Sequence, residues 1–141
     1  MQLPLPEQLN TQTVLRYLGA AGWTPDDSMQ QLLARAEASL RSAATPRGIW
    51  RQLPLDALPL EDAGTDLARH LNGCDGMVLM AATLGSGVDT VLRRLCLQDI
   101  ALGAVADAAA SVLLEQVCDQ FEAEIRQQIT EKGLYLTGRY S

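Results

Sequence analysis

Positive charge is scarce in this chain. Eleven Lys and Arg stand against seventeen Asp and Glu, a net charge of -6. Non-specific binding to nucleic acid or to an anionic membrane surface needs basic patches, and this balance argues against both. Lysine is almost missing, since Lys132 is the only one, which reads as compositional bias and not as mechanism. Histidine is reduced to His70, and there is no C-x-x-C pair, so the usual nitrogen and sulfur sets for a metal are missing. The cysteines, Cys74, Cys96 and Cys118, are odd in number and widely spaced, as expected of reduced cytosolic thiols. The start "MQLPLPEQLN" has neither a basic n-region nor an apolar h-region. No uncharged apolar run reaches about 18 residues, so no membrane span is expected and the chain is placed in the cytoplasm.

What remains is a globular composition. Hydrophobic residues make up 48% of 141 positions, too many for a disordered chain. A chain of this length buries roughly 70% of its unfolded surface and needs no staples. No internal repeat or low-complexity tract interrupts it. It is read as one domain, 1–141, with a helical N-terminal part, 1–45, and a core, 46–141.

Local signals give the order of elements. Asn10 or Thr11 can cap a short helix carrying Val14, Leu15 and Leu18, with Gly19 as its stop. Thr24 as N-cap and Pro25 at the first helical position open a longer helix that runs to about Ala43. Pro46 closes it. Ile49 and Trp50 suggest a strand, and Pro54 and Pro59 keep strands there short or at an edge. A short helix opens at Thr65 or Asp66 and stops at Asn72-Gly73. The apolar run "GMVLMAAT" fits a fully buried strand. In "TLGSGVD", Gly85 and Gly87 turn the chain into a further helix, and Ser86 with Asp89 resembles a capping box. From about Asp99 to Lys132 the pattern is helical, with Val117, Phe121, Ile125 and Ile129 forming an apolar stripe. The end, "EKGLYLTGRYS", closes that helix at Gly133 and starts a new extended segment, read as a final strand. The expected fold class is α+β: long helices packed against a small, mostly antiparallel sheet.

Few residues carry chemistry on their own. "TLGSGVD" is open to two readings, a tight turn with a cap or an anion site at a helix start. Glu115, in "SVLLEQVCD", borders the apolar stripe and faces solvent, a helix-helix contact or a pocket. His70 has no acid or thiol partner in the sequence, and nothing marks Cys74 as reactive. No catalytic triad order is legible, and no catalytic residue is assigned. Arg139 lies on the terminal extended segment. A guanidinium fork there suits a carboxylate or phosphate, and the alternative is an exposed terminal charge.

The pieces "VLRYLG", "HLNGCDGMVLMAATLGSGVDTVLRR", "QDIALGAVADAAASVLLEQVCDQFEAEI" and "TGRYS", in this order, resemble the activation domain of vitamin B12-dependent methionine synthase and its stand-alone bacterial relatives. The resemblance spans nearly the whole chain. It implies an accessory protein that helps reactivate a corrinoid-dependent methyltransferase, with S-adenosylmethionine as ligand and cobalamin reached only through a partner. In that family an arginine, two residues and Pro-Gly-Tyr form the ligand loop. Here the resemblance assigns Arg139 to the methionine carboxylate, Tyr140 to the same loop, and Glu115 to the ligand's cationic part. Pro-Gly-Tyr and the family's C-terminal region do not follow "RYS", so this chain is expected to bind S-adenosylmethionine weakly or not at all. The alternative is a non-catalytic interaction module or homo-oligomer. Loss of a C-terminal strand would uncover a sheet edge and favour self-association.

Overall fold

A computed structural model describes residues 1–141. The elements are α1 (Thr11–Tyr17), α2 (Asp27–Ala43), β1 (Arg47–Leu53), α3 (Thr65–Leu71), β2 (Met77–Thr83), α4 (Ser86–Gln98) and α5 (Ile100–Glu131). Two 3-10 turns, Leu55–Ala57 and Leu60–Asp62, follow β1 just after Pro54 removes a ladder donor. With five helices and one two-stranded antiparallel sheet the chain is α+β. It forms two compact units: Met1–Gly48 with Ala82–Glu122, and Ile49–Ala81 with Ala123–Ser141.

The first unit holds α1, α2, α4 and most of α5. Asn10 caps α1 by accepting from the Thr13 amide at 3.1 Å. The helix ends in a Schellman pair, Ala20 N–H to Leu15 O and Gly19 N–H to Arg16 O, with Gly19 at a φ of 77°. α2 begins later than Thr24 and Pro25 suggest. Asp26 is the N-cap, its carboxylate accepting from the Met29 amide at 2.8 Å. Thr24 and Asp26 are both good caps, and the anion at the positive helix end prevails.

The start of α4 also differs from the capping-box expectation. Gly85 is its N-cap, without a side-chain cap bond, and Ser86 is already helical. Gly85 sits at a φ of 90°, and a Cβ there would collide with the Thr45 hydroxyl. A Cβ on Gly87 would lie 2.6 Å from the Ala43 carbonyl oxygen. Both glycines therefore let the start of α4 close onto the end of α2, against which it packs. The core between these helices and α5 includes Leu15, Leu33, Leu40, Val88, Leu95, Leu102, Val112 and Leu113.

Polar clamps fix the N-terminal segment to this core. Arg41 donates to Pro6 O at 2.7 Å and Glu7 O at 3.2 Å, and its Nε meets Glu37 at 2.8 Å. The Gln116 carboxamide donates to Gln8 O at 2.9 Å and accepts from Asn10 N–H at 3.0 Å. Gln2 forms an antiparallel bridge with Arg47, flanked by bonds between Met1 and Gly48 and from Leu3 to Pro46. Gly48 lies against the Phe121 ring, where a Cβ would approach Cε1 to 2.6 Å.

The second unit contains the paired parts of β1 and β2, α3, the last turns of α5 and the C-terminal segment. Ile125 and Ile129 continue the stripe from Val117 and Phe121, and all four are buried. α5 closes as α1 does, with Leu134 N–H to Ile129 O and Gly133 N–H to Thr130 O. Two expectations fail here. β2 is not fully buried: none of its residues is buried, and Leu79 is 54% exposed. Its sheet has only two strands, so little covers it. Residues 134–140 form no strand. The Arg126 guanidinium takes the Leu136 and Thr137 carbonyls, at 2.6 and 3.5 Å, which a ladder would otherwise need.

α5, at 32 residues, is long and apolar enough to cross a membrane, with a mean hydropathy of 1.5 over its most apolar 18 residues. Asp107 breaks the uncharged run, which is why run length alone does not mark this stretch. Within the fold 56% of the stretch is buried, as in the core helix of a globular protein.

Candidate functional site

Arg139 and Tyr140 lie on the C-terminal segment of the second unit. Two tethers fix this segment. Upstream, Arg126 binds the Leu136 and Thr137 carbonyls. Downstream, the Tyr140 ring stacks at a tilt on His70 of α3, centroids 5.4 Å apart and planes at 38°. Such aromatic contacts add about 0.5–1.5 kcal/mol beyond burial when well packed. Tyr140 is half exposed, so less than that is expected here.

Arg139 sits between the two tethers and is half-buried. Its backbone is thus positioned from both sides without belonging to a helix or strand. An arginine held this way loses less freedom on meeting a planar anion than one on a fraying tail. Its five N–H donors suit a carboxylate or phosphate.

Glu115 is on α5 in the first unit and is exposed. The residues to which the resemblance points therefore divide between the units, Glu115 in one and Arg139 with Tyr140 in the other. His70 gains a partner that the sequence did not suggest, Tyr140, and the Cys74 thiol faces its backbone oxygen at 4.0 Å.

Arg126 was not singled out by sequence reasoning. A signal for it exists, because it is the only basic residue in α5. Lys132 is similar. It donates to Gln52 at 3.3 Å and lies 5.8 Å from the Trp50 ring centroid, fastening the end of α5 to β1 within the second unit.

The "TLGSGVD" turn has a packing cause in Ala43 and Thr45, which favours the tight-turn reading. An open cleft of about 370 Å³ lies in the first unit between Met1, Gln2, Thr45, Pro46 and Arg47. None of the expected site residues lines it. No group of three His, Cys, Asp or Glu side chains is placed to hold a metal ion.

No family model matches the chain, and no curated protein matches it. The resemblance to the methionine synthase activation domain rests on the residues that carry it.

Proposed function

We propose that the chain is an activation-domain-like accessory protein for a corrinoid-dependent methyltransferase, acting in the cytoplasm, with S-adenosylmethionine as the ligand of its Arg139 segment. One observation supports the ligand position best: Arg139 is held half-buried between the Arg126 and His70 tethers. Its guanidinium would take the methionine carboxylate, and Tyr140 belongs to the same loop. Glu115 is the acidic position that the resemblance assigns to the sulfonium or ammonium charge. Cobalamin stays with the partner, a corrinoid protein or methyltransferase, and supplies the methyl-transfer chemistry. This chain contributes binding and positioning. Its net charge of -6 fits a protein partner better than nucleic acid or an anionic membrane.

Calorimetric titration of S-adenosylmethionine tests the reading. The expected result is weak or absent heat with this chain, measurable binding when Pro-Gly-Tyr is added after Ser141, and loss of that binding in Arg139→Ala. Glu115→Gln tests the second position separately. No heat from the folded, extended chain would sink the ligand claim.

A second reading, a non-catalytic interaction module or homo-oligomer, is favoured by a different observation. β2 has a neighbour on one side only, in a sheet of two strands.

A further inference from the structure

The two strands of the sheet differ in how well their outer sides are guarded. β1 pairs with β2 on one side. On its other side, Gly48 exchanges backbone bonds with Met1, and Leu3 donates to Pro46. Exposed Arg47 and Arg51 lie on β1, and Pro54 follows it. Charge, proline and a covering segment are the devices by which proteins block strand edges. β2 carries neither charge nor proline, and no strand pairs with its other side. Residues 76–88 contain no charge and no proline, and they are the longest uncharged stretch in a chain of net charge -6.

The direction of the open side follows from one bond. Thr45 N–H donates to Leu84 O at 2.8 Å, which turns Leu84 toward the segment leading into β1. Backbone groups alternate sides along a strand, so the amides of Leu79 and Ala81 point away from β1.

We infer that β2 is the contact through which two copies of this chain pair, antiparallel about Met80, into a continuous four-stranded sheet. The inference rests on the interaction-module reading and specifies its surface. Pairing about Met80 sets Met77 against Thr83, Val78 against Ala82 and Leu79 against Ala81. No like charges meet, whereas acidic surfaces elsewhere on two such chains repel. An uncharged edge has nothing with which to select a charged foreign strand, and its own copy matches it in length and side-chain size. The pairing is isologous and consumes the only unguarded edge, so it closes at a dimer and does not propagate into a filament.

Light scattering across a wide concentration range, combined with amide hydrogen exchange, tests this in the full chain. The expected result is a dimer at high concentration, with the Leu79 and Ala81 amides protected only there. Leu79→Lys, at an exposed side chain, is expected to weaken the dimer by about tenfold or more. A monomer at every concentration overturns both the pairing and the homo-oligomer form of the second reading. A dimer that ignores Leu79→Lys and leaves those amides unprotected overturns the β2 contact alone, and self-association by another surface stands.

Discussion

The first unit is held by its interior and the second by its clamps. Of the buried apolar side chains, only Ile125 and Ile129 belong to the second unit, and the rest lie in the first. The second unit relies on Arg126 at two carbonyls, Lys132 at Gln52 and Trp50, and Tyr140 against His70. Apolar burial contributes about 25 cal/mol per Å², whereas an exposed hydrogen bond contributes about 1 kcal/mol net. Local opening is therefore expected to begin in the second unit, where the proposed ligand arginine sits. Ligand-binding loops are drawn from the low-stability end of a fold, and the proposed site would follow that rule.

The contrast can be broken from the first unit with the largest effect. Phe121→Ala is expected to cost about 3–5 kcal/mol in chemical denaturation, because its ring is buried against Gly48. A loss under about 1 kcal/mol would mean that this core is not closely packed. Gly87→Ala comes next, at about 1–3 kcal/mol, since its new methyl must displace the backbone at Ala43. Asn10→Ala removes the α1 cap and is expected to cost about 1 kcal/mol. Arg126→Gln sharpens the contrast from the other side. Exchange at residues 134–140 should rise strongly, while global stability falls by under about 1 kcal/mol. Global unfolding in that variant would show that the second unit is no looser than the first.

Legibility in the sequence follows the same division. The stripe Val117, Phe121, Ile125 and Ile129 was readable because a long helix repeats its face many times. The α1 cap and the glycine stops at Gly19 and Gly133 were readable because each is local chemistry. β2 was misjudged because an apolar run shows that a strand avoids water, not how many neighbours shield it. Residues 134–140 have strand composition, but the structure ties their carbonyls to Arg126, a side chain on another element, and not to a strand. No local pattern encodes that. Charge and position singled out Glu115 and Arg139 but left their roles open, and the resemblance supplied those roles and added Tyr140. The structure adds the tethers on either side of Arg139, which neither source contained.

The Gln116 clamp makes α5 a ruler for the start of the chain. A carboxamide presents one donor and one acceptor side by side, the same pair that a peptide unit offers, so it reads the backbone at residues 8–10 in one register only. A slip by one residue would offer the carbonyl of residue 9 and the amide of residue 11, which point to the other side of an extended chain, away from the carboxamide. Asn10 completes the measurement: its backbone amide is held by Gln116 while its side chain caps α1. The residue at which the first helix begins counting is thereby fixed by a helix that starts ninety positions later.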